Sequence, residues 1–427
     1  MKILHIIPRW IGGGPERHLI ELARQDLLND ANVNRRALVL DRPLSAPLLV
    51  KARRFGLALV SSPWAEAMEA EIDAADIVEI TYWNHPLLLE LLACTLPPAR
   101  VIISSAVAGH TIPQVLFPEL TSYPDVWQLS APKGYGASHI ERSHPWVEFL
   151  PALAEIDRFE NFRPRKHDGI RAAYLGSHTP SKIHPLFPEI VAMLDSNIKV
   201  DIIGDGDVVS TGNLRRRFDE LGVSEKIIFH GHVENIAEVL ATADIFIYPL
   251  NPESSATSEK ALQEAMWLGL APVMMTGTAA AGWIDSGRTG FVASDSHEFA
   301  AKVNLLSREE KLRIEIGGAA QKFARDRFNP ASGAKKTRDI YDRLVSIPKR
   351  TRAPMQSRDW SVAEKFCNSL GLNRVSFIHR LERAGNASPE SNFMLLKSEG
   401  GLLHYRSHYP SDSDLRDWIS VLTKALE

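Results

Sequence analysis

Two carboxylates five positions apart, Glu259 and Glu264, stand out in the stretch ATSEKALQEAMWLGLAPV (residues 256–273), which reads as a helix leading through Gly269 into a strand. An acid/base pair or a metal site would need both to converge. At about 100° per residue, five positions turn them about 140° apart around the helix, so they cannot share one proton or one metal. Glu259, behind Thr257 and Ser258, falls in the first turn, where the helix dipole favours an acid. Glu264 has Ala261, Trp267 and Leu268 three or four positions away, and a carboxylate among apolar side chains needs a partner that offsets its desolvation. The vicinal hydroxyls of a ribose, bonded to both oxygens of one carboxylate, would supply it.

A second feature lies near the N-terminus, in IGGGPERHLIEL. Gly12, Gly13 and Gly14 fall at a strand-to-helix turn, where backbone N–H groups and the helix dipole would hold a phosphate. Glycines also serve such a turn without a ligand, and the residues alone leave both readings open. Neither the spaced-glycine dinucleotide fingerprint nor a P-loop lysine is present, which disfavours an NAD-dependent dehydrogenase. GDGD at 204–207 lacks the later ligands of a calcium loop and reads as a turn. Cys94 and Cys367 are far apart with no ligand spacing around them, so neither a disulfide framework nor a zinc site is predicted, and a reducing cytoplasm fits.

The elements that must position these residues alternate between strand and helix. KILHIIP is a continuous apolar run of the kind found in parallel sheets covered on both faces, and RRALVLD, LALVS, DIVEITYW and RVIISS continue the series. A second series begins at IRAAYLGS and runs through KVDIIGDGD, KIIFHGH, DIFIYPL, APVMM and GFVAS. Two successive blocks imply two Rossmann-like α/β domains facing across a cleft, residues 1–165 and 166–347. After Pro348 a basic segment, Lys349 to Arg358, reads as an exposed linker suited to an anionic membrane surface. RVSFIHRLER, NFMLLKS and LLHYRSHY then read as strands between two helices, a small α+β appendage over 348–427. A net charge of −3 over 427 residues provides no basic field for nucleic acid. No apolar run reaches the length of a membrane span, and the N-terminus reads as a buried strand and not as a secretory signal.

Taken together, GGGPERHLIEL, IDRF, FHGHVENIAEVLATADIFIYPL, EAMWLGLAPV and the closing helix occur in the order seen in retaining glycosyltransferases of the family 4 type, which have the GT-B fold. The chain resembles that family over residues 1 to 347. The resemblance implies transfer of a sugar, a hexose by preference, from a nucleotide diphosphate sugar to a glycan, lipid-linked or small-molecule acceptor, in polysaccharide or lipid-linked glycan assembly. No DxD carboxylate cluster stands out in the cleft segments, so no metal is predicted and no cofactor beyond the co-substrate; the cysteine usage and the basic linker fit a place in the cytoplasm or at the inner face of the membrane. By position, Glu264 would bind the ribose, and backbone N–H groups around Ala256, Thr257 and Ser258 would hold the diphosphate. Ala256 stands where the family has another glutamate; Glu253 is the nearest upstream carboxylate and would take its part at the sugar. Lys182 would be the phosphate cation, with Ser177 or His178 at the place of the family's arginine. Asp207 and Val233 would approach the nucleobase, and His110 the reacting sugar. Trp83 and His85, at a strand end, would line the acceptor side. A nucleotide-sugar epimerase of the same fold and a degenerate nucleotide-sugar-binding subunit are the alternative functions.

Overall fold

Apolar runs set the framework of each half of the chain. In the computed structural model, which describes residues 1–42, 44–61, 65–383 and 389–425, the first run becomes β1 (Lys2–Ile7), with every residue after Lys2 buried. It is followed by β2 (Asn34–Val39), β3 (Ala58–Ser61), β4 (Ile77–Tyr82), β5 (Val101–Ser105), a small hairpin of β6 (His110–Thr111) and β7 (Gln114–Val115), then β8 (Val126–Leu129) and β9 (Val147–Phe149). Apart from the hairpin they form one seven-stranded sheet in the order β3-β2-β1-β4-β5-β8-β9, all of it parallel. The second series gives β10 (Ile170–Leu175), β11 (Ile198–Ile203), β12 (Ile227–Gly231), β13 (Ile245–Tyr248), β14 (Ala271–Met275) and β15 (Phe291–Ala293), a parallel sheet ordered β12-β11-β10-β13-β14-β15.

Both sheets wind outward in two directions from their first strand. The direction of winding reverses between β1 and β4 in one and between β10 and β13 in the other, and sheets of this kind bind their ligands beyond the carboxyl ends of the strands at that point. Residues placed just after those four strands are therefore the ones positioned to meet a ligand.

The chain divides into two compact units, Met1–Leu153 with Pro330–Glu427, and Ala154–Asn329. Everything after Pro330 thus belongs with the first sheet, where the sequence suggested boundaries at 165 and 347. A buried polar network fixes the returning helix Pro330–Leu344: Tyr341 donates to Glu79 at 2.5 Å, Arg35 donates to Tyr341 at 3.1 Å and to Asp26 at 2.6 Å, and Arg338 reaches Asp26 at 2.9 Å.

Past this helix the expectation of an α+β appendage fails. The described residues form helices Val362–Ser369, Arg374–Glu382, Pro389–Lys397, Leu402–His408 and Ser413–Lys424, so RVSFIHRLER, NFMLLKS and LLHYRSHY are helical and not strands. Short apolar runs carry no period that separates the two states; here burial decides, with Leu395, Leu396, Leu402, Tyr405, Leu415 and Leu422 in one core with Ile80, Leu89 and Trp127 of the first sheet and its helices. Nor is the basic segment a free surface. Arg352 is buried, donating to the carbonyls of Ala99 and Tyr123 and pairing with Asp125, while Arg350 donates to Asp125 at 2.7 Å and Lys349 to the carbonyl of Asp73 at 2.7 Å. Among the described residues no helix is long and apolar enough to cross a membrane.

Asn84, fully buried just after β4, joins the C-terminal helices to the sheet. Its amide donates to the Pro113 carbonyl (2.8 Å) and to Ser369 Oγ (3.0 Å), its carbonyl accepts from the Tyr405 hydroxyl, and its backbone N–H donates to Gln114 Oε1 (2.7 Å). Gly400 (φ +78°) passes so close that an added Cβ would lie 2.4 Å from the Asn84 carbonyl oxygen. Tyr405→Phe removes one donor from this buried site and is expected to cost about 1–3 kcal/mol, read as a lower urea midpoint at unchanged m-value.

Candidate functional site

In the second unit, the residues after β10 and β13 converge. The helix Lys260–Trp267 follows β13 through an ordered loop, Asn251 to Ser258, in which Ala256, Thr257 and Ser258 are buried. Glu259 is the N-cap residue, one position ahead of the helix. Its carboxylate accepts from the Lys182 ammonium and, at 2.8 Å, from the Tyr248 hydroxyl, and the Lys182 Nζ lies 5.7 Å from the Tyr248 ring centroid. Burial pushes the Glu259 carboxyl upward, but the Lys182 charge and hydrogen bond, with the Tyr248 hydroxyl, hold it below its ordinary value. The same burial, with Glu259 beside it, pushes the Tyr248 phenol well up, so it stays a donor. Glu259 is therefore not simply an acid stationed in a first turn: it orients the cation that the sequence nominated for phosphate.

Glu264 is buried, as its apolar neighbours suggested, and its partner is Arg158. That arginine comes from the short helix Ile156–Phe159, the IDRF stretch, and its guanidinium lies 5.0 Å from the Phe159 ring centroid. The residue spacing that turns Glu259 and Glu264 apart leaves each with a cation of its own. Lys182 and Arg158 both come from earlier in the chain, 77 and 106 positions before the carboxylates they pair with.

The remaining nominated residues of this unit fall around the same strand ends. Ser177 is exposed just after β10, its carbonyl accepting from Tyr174 at 2.6 Å, and His178 is buried against Thr211 Oγ1 at 2.7 Å. The loops after β10 and β11 touch: Gly204 (φ +124°) lies so close that a Cβ there would meet the Gly176 carbonyl oxygen at 2.3 Å. Asp207 is the N-cap of the helix Val208–Glu220, accepting from the Ser210 N–H at 2.9 Å. The Ser210 hydroxyl and N–H hold its carboxyl below the usual value. Asp207→Ala should cost about 1 kcal/mol and Asp207→Ser much less, as a urea titration would show; equal losses for both would rule out the capping role. Val233 is half-buried against the core, and Glu253 is half-buried with its N–H donating to Asn251 Oδ1 at 2.9 Å.

In the first unit Gly14 begins the helix Gly14–Leu28 with Gly13 at its N-cap. Glu16, buried, curls back so that its Oε1 accepts from the Ile11 N–H at 3.3 Å. A carboxylate thus stands at the turn where Gly12, Gly13 and Gly14 were expected to receive a phosphate. His110 is exposed on β6. Trp83 and His85 are buried, the His85 ring packed edge-on to His404 and His408 with centroids 4.9 and 5.3 Å away. The helix Leu402–His408, one of the C-terminal helices, thus packs on residues that the sequence placed on the acceptor side.

Sequence reasoning missed Arg158, Tyr248 and the pairing of Glu259. IDRF was visible as a motif; the long-range pairing gave no local signal.

Residues 170–309 match the family model of Glycosyl transferases group 1. Among solved structures, the chain is similar to HepE of Anabaena in complex with UDP and glucose (14% identity, TM-score 0.65, 80% of this chain and 100% of that one). It is similar as well to a glycosyltransferase of Rickettsia africae (16% identity, TM-score 0.64, 81% and 98%) and to a variant of S. aureus TarM in complex with fondaparinux, alpha-GlcNAc-glycerol and UDP (10% identity, TM-score 0.61, 80% and 99%). The fold is of the GT-B type, built from two Rossmann-like domains, with about a fifth of this chain beyond what those structures match.

Proposed function

We propose that the chain is a retaining glycosyltransferase that moves a sugar, a hexose by preference, from a nucleotide diphosphate sugar to a glycan, lipid-linked or small-molecule acceptor. The observation that carries this is the pair of ion pairs, Lys182 with Glu259 and Arg158 with Glu264, within and just before the segment that matches the family and at the strand ends where such folds bind nucleotides. The neighbours with UDP bound make a uridine nucleotide the first donor to try. In this reading Glu264 takes the ribose hydroxyls, and the N–H groups of Ala256 to Ser258 meet the diphosphate. The Lys182 ammonium exchanges Glu259 for the phosphate charge that develops as the glycosidic bond breaks. Preorganised donors aimed at that charge are the catalytic device at hand. His110 and Glu253 are assigned to the reacting sugar.

One observation favours a second reading, a nucleotide-sugar-binding subunit without turnover: Ala256 is buried where the family carries a carboxylate. A thermal-shift screen with UDP-, GDP-, ADP- and TDP-sugars tests both, since a ligand of the native state raises apparent stability. A hit that is transferred or hydrolysed supports the enzyme; a hit that survives intact across a broad acceptor panel supports the binding subunit. No shift with any of them would overturn the proposal.

A further inference from the structure

Four side chains that the nucleotide site does not use meet in the first unit. Asp41 follows β2, His85 caps the helix Pro86–Leu92 after β4, and His404 and His408 come from the helix Leu402–His408. One ligand atom from each lies within 4.8 Å of all the others. His408 Nε2 is 3.1 Å and His85 Nε2 is 3.7 Å from the same oxygen, Asp41 Oδ2. The Nε2 atoms of His85 and His404 are buried and have no hydrogen-bond partner among the described residues, and His85 itself is fully buried.

We infer that these residues are a binding site for a divalent transition metal of the zinc class, held by three imidazoles and one carboxylate. Such ions take four N and O ligands at about 2.0–2.2 Å in a tetrahedron, with neighbouring ligand atoms about 3.3 Å apart, a contraction within the reach of side-chain rotation here. His404 and His408, at i and i+4, project from one face of their helix. Metal ligation requires a neutral imidazole with one ring nitrogen open to the ion, and the buried Nε2 atoms of His85 and His404, unpartnered among the described residues, supply that geometry. The His408 Nδ1 lies 3.1 Å from the His404 carbonyl, so a proton placed there leaves Nε2 free to ligate. His85 and His404 accept at Nδ1 from the N–H groups of Leu87 and Gly400; ligation through Nε2 moves each ring proton to Nδ1 and gives up those two contacts, a smaller loss than the metal–nitrogen bonds return. The nearby Arg9 is paired with Glu399, which offsets its charge beside the site.

The ligands come from the carboxyl edge of the first sheet and from the C-terminal helices, so the ion would fasten those helices over Trp83, which stacks on His404 with centroids 5.7 Å apart. The assignment does not depend on the nucleotide reading. The test uses the full chain, stripped with a chelator and titrated with Co2+ alone. The expected result is the intense ligand-field absorption of four-coordinate Co2+, saturating at one ion per chain and abolished by added Zn2+, with Zn2+ raising the Tm of the stripped chain. The double variant His404→Ala, His408→Ala should weaken Co2+ binding at least about tenfold, whereas His379→Ala, an exposed histidine on another helix, should not. Weak octahedral absorption, no saturation, or equal binding by the double variant overturns the site and leaves Asp41 as a simple acceptor of imidazole protons. If the double variant does not fold, the spectrum and stoichiometry of the unaltered chain decide.

Discussion

Lys182→Met is expected to lower kcat/KM for the donor sugar by about 10²–10³-fold, with most of the loss in kcat. Methionine keeps the length and apolar stem of the lysine, so packing over the Tyr248 ring survives while the charge is lost. The ammonium is presented by the loop after β10 and held by Glu259 and Tyr248 before any ligand arrives. A cation fixed in this way needs little reorganisation when the sugar–phosphate bond breaks, and its worth is largest when the leaving diphosphate gains charge. Binding of the nucleoside diphosphate should weaken less than turnover does. Steady-state release of nucleotide from the donor found by thermal shift, set beside the affinity for that nucleoside diphosphate, gives the split; kcat/KM within about twofold of the unaltered chain would remove Lys182 from the reaction.

Glu259→Gln provides the complementary measurement. The amide keeps a hydrogen-bonding group near Tyr248 but surrenders the charge that competes with a diphosphate for Lys182. Nucleoside diphosphate affinity is expected to rise modestly, while acid stability changes in a defined direction. The folded-state carboxyl of Glu259 is held below its ordinary value, so its contribution is present above the unfolded-state pKa and fades as the pH falls through the depressed one. The glutamine variant should therefore lose stability at neutral pH and show a shallower decline in acid than the unaltered chain, as urea midpoints across pH would report.

How much of this was legible in the sequence depended on how local each signal was. The apolar runs of β1, β4, β10 and β13 and the helix Lys260–Trp267 were readable because burial on both faces and a 3.6-residue period are written in adjacent residues. β8 and β9, of four and three residues, were too short to stand out between their prolines and glycines. The burial of Glu264 followed from its helical neighbours; its partner Arg158, 106 residues earlier, did not. Arg350 and Arg352 looked like solvated linker charges, since their fixed partner, Asp125, lies more than 200 positions away. His404 and His408 show most plainly what a wrong period conceals. Read as strand residues four apart they would stand about 13 Å from each other; as helical residues they lie one turn apart and reach a common point.

Glu264→Ala should weaken nucleotide-sugar binding by about a hundredfold, close to 3 kcal/mol, and abolish the thermal shift. The buried carboxylate would trade its pairing with Arg158 for hydrogen bonds to two ribose hydroxyls, and alanine offers neither. The substitution also strips Arg158 of its partner, so a loss of binding could in principle arise from a displaced arginine. Arg158 keeps part of its side chain in solvent, where the orphaned charge is screened and costs little. The donor's own chemistry separates the two causes. A 2′-deoxyribose analogue lacks one of the hydroxyls, so it should bind the unaltered chain more weakly than the ribonucleotide and bind Glu264→Ala nearly as well as the ribonucleotide does. Such non-additivity between a deleted carboxylate and a deleted hydroxyl marks direct contact. Additive losses would place the ribose elsewhere, and an unchanged thermal shift in Glu264→Ala would withdraw the nucleotide site from this helix altogether.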